Sequence, residues 1–209
     1  MGISAILLAA GQSKRLGANK LLLDVAGEAL VERVVNVLLQ SRVDEILVVV
    51  GFEAELVRRR LQGKPIRFVL NRHHREGMAS SLRAGIAHTD PAARAVLIAL
   101  ADHPWLTSDT VDRLINVYQG TSKGIVCPTH GGMRGHPVIF DVKRYGEILL
   151  GLRGDTGGRS VIDAHQDDLL EVPVDSPGVI RDIDFWEDYE TARKMIRRDV
   201  GGVNEEGER

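Results

Sequence analysis

Ile3-Ser4-Ala5-Ile6-Leu7-Leu8-Ala9-Ala10-Gly11-Gln12-Ser13-Lys14-Arg15-Leu16-Gly17-Ala18-Asn19-Lys20 is the stretch on which the fold turns. The apolar run from Ile3 to Ala10 stops at Gly11, as a central parallel strand covered on both faces would. The segment from Gly11 to Lys20 combines two glycines with three cations, Lys14, Arg15 and Lys20, and small polar residues. Backbone amides of such a turn can point at an anion while the cations supply the charge a triphosphate needs. On residue types alone the segment also fits a solvated connecting loop. It matches neither the Walker spacing nor a GxGxxG fingerprint, which weakens kinase and dehydrogenase readings.

Downstream, Gly27 precedes apolar pairs at Leu30/Val31, Val34/Val35 and Leu38/Leu39, one stripe along a helix. Ile46 to Val50 reads as a second strand, Glu53 to Leu61 as a charged helix closed by Gly63 and Pro65, and Ile66 to Leu70 as a third strand. Met78 to His88, Ala95 to Ala101 and Ser108 to Tyr118 continue as helix, strand and helix. The alternation predicts a three-layer, Rossmann-like α/β fold, with a mostly parallel sheet and ligands beyond the carboxyl ends of its strands. After Gly120 the pattern loosens. Short strands at Gly124 to Pro128 and Pro137 to Phe140 flank a glycine-rich loop. A short helix, a second glycine-rich loop and a strand near Leu169 to Val174 come next, and this half is expected to lid the sheet. Phe185, Tyr189, Ala192 and Ile196 share a helical face, and Gly201 to Arg209 reads as a disordered tail. One domain over residues 1–200 is expected, with a nucleotide half to about 120 and an acceptor half beyond it.

Composition narrows the function classes. Of 209 residues 27 are basic and 29 acidic, so no global attraction to nucleic acid or anionic lipid exists, and phosphate affinity must be local. Nine aromatics provide no stacking platform for single-stranded nucleic acid. Cys127 is the only cysteine, which removes disulfides and cysteine-held metal clusters. The apolar runs fall far short of the roughly 20 residues that cross a bilayer. A strand-like start without a basic leader leads to the expectation of a cytoplasmic protein with no membrane or nucleic-acid partner.

Leu8-Ala9-Ala10-Gly11 followed by Ser13, Arg15, Gly17 and Lys20 resembles the signature loop of the MobA-like nucleotidyltransferases. Further segments agree in order: Gly77-Met78-Ala79-Ser80-Ser81-Leu82, Leu100-Ala101-Asp102-His103-Pro104, Arg134-Gly135-His136-Pro137, Gly154-Asp155 with Gly157 and Arg159, and Asp182-Ile183-Asp184. Together they span residues 5 to about 190 and look most like the branch containing molybdenum cofactor cytidylyltransferase. The resemblance implies transfer of CMP from CTP to the terminal phosphate of molybdopterin, with magnesium as cofactor and a molybdenum hydroxylase as a partner receiving the product. Ala10, where the guanylyl branch carries a second glycine, weakly favours CTP over GTP.

By this resemblance Leu8, Ala9, Ala10, Gly11, Ser13, Lys14, Arg15 and Lys20, with Gly77, Met78, Ser80 and Ser81, bind nucleotide. Arg15, Lys20 and Asp102 are the expected catalytic groups, and Asp102 and Asp184, or Asp182 in place of the latter, the expected metal ligands. His136, Asp155 and Arg159 would bind the acceptor. Residue chemistry agrees: magnesium takes one or two carboxylates with phosphate and water oxygens, and Asp102 ends an apolar strand at the same sheet edge as the first loop. A phosphate nucleophile is already anionic, so its attack needs positioning and charge neutralisation more than a general base. Asp184 could instead cap a helix, and Ser80 and Ser81 could be plain helix-start residues. His73 and His74 read as surface or substrate-side groups, and Trp105 and Trp186 as packing residues. Alternatives are a GTP-using or sugar- or polyol-phosphate transferase of the same fold, a flavin- or nicotinamide-dependent oxidoreductase on this scaffold, and a non-catalytic chaperone for the finished cofactor.

Overall fold

The computed structural model describes residues 2–13 and 15–201, with side chains to residue 196. The expected phosphate-loop cation Lys14 and residues 202–209 of the expected tail lie outside the described residues. Strand β1 (Gly2–Ala9) leaves the core at Ala10 and is followed by a two-stranded hairpin, β2 (Asp24–Val25) and β3 (Glu28–Ala29). Ala26 and Gly27 turn that hairpin with φ of 57° and 87°, the positive pair a tight primed turn demands. Then come α1 (Leu30–Leu39), β4 (Glu45–Val50), α2 (Ala54–Arg60), β5 (Arg67–Leu70), α3 (Met78–Ile86), β6 (Ala93–Leu100) and α4 (Ser108–Gly120). The second half adds β7 (Ile125–His130), β8 (Met133–Arg134), β9 (Val138–Asp141), α5 (Val142–Gly151), α6 (Gly158–Ala164), β10 (Leu169–Pro173) and α7 (Trp186–Gly201).

The main sheet runs β10-β7-β9-β6-β1-β4-β5, with β8 paired to β7. Pairs β1/β4, β1/β6, β4/β5 and β7/β10 are parallel, while β9 runs antiparallel to both β6 and β7. The α/β class and its mostly parallel sheet are as expected. The second half differs from expectation, because β7, β9 and β10 extend the sheet rather than lid it. Their inward residues Ile125, Cys127, Val138 and Phe140 are apolar and buried, and such strands gain more by continuing a sheet than by lying over it. The last helix reaches Gly201, one residue into the expected tail.

Side chains along β1 are buried almost throughout and alternate between two cores. Ile3, Ala5, Leu7 and Ala9 face one core with Val31, Val34, Val57 and Val111 of α1, α2 and α4. Ile6 faces the other, with Leu82, Tyr145, Leu149 and Val161 of α3, α5 and α6. A satellite cluster of Leu16, Val25, Leu30, Ile183, Ala192 and Ile196 docks α7 on the hairpin. Trp105 packs there, whereas Trp186 is 46% exposed and meets Tyr189 edge-on, contrary to its expected packing role. The chain steps outward from β1 to β4 and β5, then returns to β6 on the other side. The topological switch therefore lies between β1 and β6, where a parallel sheet opens a ligand crevice at the strands' carboxyl ends.

Candidate active site

Two loops leave the sheet at that switch. Ala101 N donates to Leu8 O at 3.2 Å, which holds the exit of β6 beside the exit of β1. Gly11 to Lys20 then folds back on itself. Ser13 (φ 50°) and Gly17 (φ 70°) take left-handed backbone, Lys20 N donates to Ser13 Oγ at 3.2 Å, and the Asn19 side chain caps the short helix starting at Lys20. This fixes the Lys20 side chain, 13% exposed, between two carboxylates. Its Nζ lies 2.8 Å from Asp102 Oδ2, 2.9 Å from Asp184 Oδ1 and 2.7 Å from Ile183 O.

The second acid arrives through the backbone. Ile183 N donates to Asp102 O at 3.1 Å and its side chain is buried in the satellite core, so Asp182 and Asp184 flank Asp102. Asp184 is not the helix cap that its position allows. Asp188 Oδ2 accepts from Asp184 N (3.0 Å) and Phe185 N (2.8 Å), leaving the Asp184 carboxylate for Lys20 and Arg15. Arg15 also lies over the Phe185 ring, 5.6 Å from its centroid.

Electrostatics follow from this packing. Burial alone would lower the Lys20 pKa, but the charge and hydrogen bond of Asp102, seconded by Asp184, raise it, so the ammonium is firmly protonated. Burial would raise Asp184, yet the Lys20 hydrogen bond and the charges of Lys20 and Arg15 hold it below the ordinary carboxylate range. Asp182 goes the other way: burial and then repulsion from Asp102 and Asp184 push its carboxyl up. Ligand oxygens of Asp102, Asp182 and Asp184 all lie within 4.8 Å of one another. A hard oxygen set with one member short of positive charge fits a divalent cation such as magnesium or manganese.

Two connected clefts surround this cluster. The outer, about 570 Å³, is lined by Gly11, Ser13, Arg15, Lys20, Asp102 and Asp184, together with His74, Arg75 and Asp155. The inner, about 240 Å³, adds Leu8, Ala10, Met78 and Ser81. The start of α3 is held by a close backbone approach: Ala79 N donates to Gly154 O at 3.2 Å, and a Cβ on Gly77 (φ 99°) would lie 2.4 Å from that oxygen. Asp155 Oδ1 accepts from Met78 N at 3.2 Å, so this expected acceptor residue instead caps α3 and faces the two clefts.

A third cavity of about 580 Å³ lies across the sheet and contains the other two expected acceptor residues, His136 and Arg159. It shares Leu8, Met78 and Leu100 with the inner cleft, so the two compartments meet there. His136 follows Gly135, where a Cβ would be 2.2 Å from Val179 O, and its N donates to that oxygen at 2.8 Å. Burial, then the neighbouring His103, push the His136 pKa down to about 4, which keeps the ring neutral at pH 7. Its ring meets His103 edge-on at 5.5 Å.

Of the expected nucleotide residues among those described, most thus line the clefts, with two exceptions. Ala9 faces the core on the opposite side of β1. Ser80, in α3 but not lining either of these clefts, donates to Gly77 O (2.8 Å) and accepts from Asn71 Nδ2 (2.8 Å), which pins the helix start. Sequence reasoning missed Asn71, which is buried and also reaches Ser81 Oγ at 3.0 Å. A polar residue directly after β5, at the carboxyl edge of a parallel sheet, was the available signal. His74, read only as surface or substrate-side, lines both clefts with its Nδ1 buried and unpartnered. Among the described residues no helix is long and apolar enough to cross a membrane.

Comparison with known proteins agrees with this geometry. The chain is 32% identical to nicotine blue oxidoreductase of Paenarthrobacter nicotinovorans, over 93% of this chain and 95% of that one. It is 28% identical to purine catabolism protein PucB of Bacillus subtilis, over 91% and 96% respectively. The crystal structure of Rv0371c from Mycobacterium tuberculosis in complex with manganese superimposes with a TM-score of 0.80 at 27% identity, covering 93% of this chain and 99% of that one. Residues 5–169, which contain both loops at the switch point and the whole of α3, match the MobA-like NTP transferase domain, and the chain belongs to that family.

Proposed function

We propose that the protein transfers a cytidylyl group from CTP to the terminal phosphate of a molybdopterin-type acceptor and releases pyrophosphate. The observation that carries this is the placement of Lys20 between Asp102 and Asp184 at the mouth of a cleft that opens, past Leu8 and Leu100, into a second compartment. A triphosphate entering the outer cleft meets Arg15 and Lys20, whose charges offset the negative charge that builds on the phosphates during displacement. Gly11 and Ser13 border the same space without bulky side chains, while Ala10 and Ser81 line the inner cleft that suits the nucleoside. Asp102 and Asp184, with Asp182 beside them, would hold magnesium or manganese, which neutralises phosphate charge when bound. The acceptor, lying in the third cavity against His136 and Arg159, would present its phosphate at the shared boundary. The nucleophile is an anion already, so no side chain has to remove a proton from it.

Purified protein, molybdopterin and magnesium, offered each of the four NTPs, test this through pyrophosphate release. The expected result is turnover selective for CTP that falls about 100-fold or more in Lys20→Ala and in Asp102→Ala. Near-normal rates in both variants overturn the assignment, and selectivity for GTP moves it to the guanylyl branch. A soluble cytoplasmic setting and a molybdenum hydroxylase receiving the product belong to the same proposal.

The name of the 32% identical relative favours a second reading, a flavin- or nicotinamide-dependent oxidoreductase. The same cations would then hold the cofactor's phosphates. A visible flavin spectrum on purification, or dye-dependent oxidation of NADH without pyrophosphate release, would select it.

A further inference from the structure

The third cavity carries a charged pair, Glu171 and Arg134, that no role above uses. Its floor is apolar, with Ile98, Cys127, Val138 and Phe140 from β6, β7 and β9, and Glu171 is the only acid among its lining residues. Glu171 pairs in register with Cys127 across β10 and β7, so both side chains project from the same face of the sheet. The floor beside it is hydrophobic, while Glu171 itself is 45% exposed at the cavity rim, where its partners decide its role. Arg134 supplies part of the answer: its Nε donates to Glu171 Oε1 at 2.6 Å, which orients the carboxylate. Arg134 Nη1 and Nη2 each donate once as well, to Asp163 (3.2 Å) and Gln166, so three of its five N–H groups are engaged and the carboxylates of Glu171 and Asp163 offset its charge. Glu171 Oε2 has no partner among the described residues, and Oε1 retains a second lone pair.

We propose that Glu171 selects the acceptor, its carboxylate accepting two adjacent N–H groups from the amino-amide edge of a fused heterocycle lying in this cavity. A carboxylate accepts only, so it rewards an edge offering a ring N–H beside an exocyclic amine and penalises one that presents a carbonyl instead. Position agrees with such a molecule. Glu171 lies three strands beyond β6, a lateral separation on the order of 14 Å at the usual strand spacing of about 4.8 Å. An elongated acceptor can therefore hold its heterocycle at Glu171 and its nucleophilic end at the Leu100 boundary beside Asp102. Neutral His136 is left to hydrogen-bond between the two, and Arg159, whose side chain is 92% exposed, to meet an anionic substituent. This inference rests on the acceptor-side half of the proposed function and not on the identity of the nucleotide.

The test titrates the purified chain with 2-amino-4-oxopteridine and with 2,4-dioxopteridine, reading the quenching of pteridine fluorescence. Expected is a preference of about 3-fold to 10-fold for the amino compound, because Glu171, 45% exposed, discriminates less against an analogue lacking a donor than a fully buried group would. Glu171→Gln should weaken the amino compound by about 3-fold to 10-fold and leave the dioxo compound within about 2-fold, which also reports that the cavity is intact. Equal affinities in the unaltered protein, no binding of either compound at millimolar concentration, or an unchanged preference in the variant overturn the proposal. Pyrophosphate release from CTP is measured separately. A chain that prefers the amino compound but never turns over CTP keeps this inference and loses the transfer reading; the reverse result loses this inference alone.

Discussion

Replacing Lys20 with alanine probes the whole arrangement, because one ammonium neutralises two carboxylates and no other described cation is comparably enclosed beside them. Coulomb attraction at 2.8 and 2.9 Å is large in gross terms, but the carboxylates of Asp102 and Asp184 remain 22% and 34% exposed, so water screens much of it. Stranding one member of a fully buried pair costs about 3–5 kcal/mol, and with this exposure about 1–3 kcal/mol is expected. For a domain of this size that is a fall in Tm of about 3–10 °C. Removing the charge from the reacting phosphates should independently reduce kcat by about 100-fold to 1,000-fold. A third consequence distinguishes the site from an ordinary ion pair. Lys20 occupies carboxylate oxygens that a divalent ion would use, so manganese or magnesium should raise the Tm of Lys20→Ala more than that of the unaltered protein. Differential scanning fluorimetry across a metal titration, run beside the pyrophosphate assay, reads all three. A variant with unchanged Tm, a rate within about 3-fold of normal, or a smaller metal-induced shift would refute the reasoning.

Three further outcomes are expected. Ser80→Ala should lower stability by about 1–2 kcal/mol through loss of the Asn71 and Gly77 hydrogen bonds while changing the nucleotide KM little, whereas Ser81→Ala, which also loses an Asn71 bond but lines the inner cleft, should raise that KM; urea melts and steady-state kinetics read the two effects. Gly77→Ala must move a Cβ 2.4 Å from Gly154 O and strains a residue at φ 99°, so both nucleotide affinity by calorimetry and Tm should fall. Stability should have an acid limb set in part by Asp168, whose carboxyl burial would raise but which hydrogen bonds from Tyr145 (2.7 Å), Arg144 and Gly124 N hold low. The folded pKa of Asp168, like that of Asp184, is depressed, so their contributions are present above the unfolded value of about 3.9 and vanish as pH falls through the folded values. Asp182 is shifted upward and opposes them, costing stability as pH rises from about 3.9 through its raised pKa. Lys20, raised, contributes below about pH 10.4 and is lost as pH climbs past its folded value. Asp168→Ala should flatten the acid limb in pH-dependent urea melts and lower stability at pH 7 by about 2 kcal/mol, since Tyr145 Oη loses its partner.

Much of this protein was legible in one dimension because its signals are local. A run such as Ile3 to Ala10 has no polar face, so it can only be a strand covered on both sides, and strict alternation of such runs with amphipathic helices leaves few ways to wind the chain. Glycine, serine and lysine between Gly11 and Lys20 suited a phosphate-binding turn, which composition alone did not separate from a solvated loop; the acid at 102 stood at the end of an apolar segment, and that at 184 was picked out by family resemblance. Where those acids sit relative to Lys20 was not legible. The contact depends on the backbone bond from Ile183 to Asp102, residues 81 positions apart, and on Asp188 taking the capping role that local sequence offered equally to Asp184. Ser80 and Ser81 show the same limit: adjacent hydroxyls on a helix point about 100° apart, and although both accept from Asn71, only the packed position of α3 decides that Ser81 alone lines the inner cleft. The insertion of antiparallel β9 between β6 and β7 likewise escaped the sequence, since short apolar strands carry no mark of direction or neighbour. That insertion moved the second half of the chain into the sheet and carried Glu171 to the wall of the third cavity farthest from the strand that ends at Asp102. Side-chain type is set residue by residue, but convergence is a property of long-range packing, and the chemistry of this site is convergence.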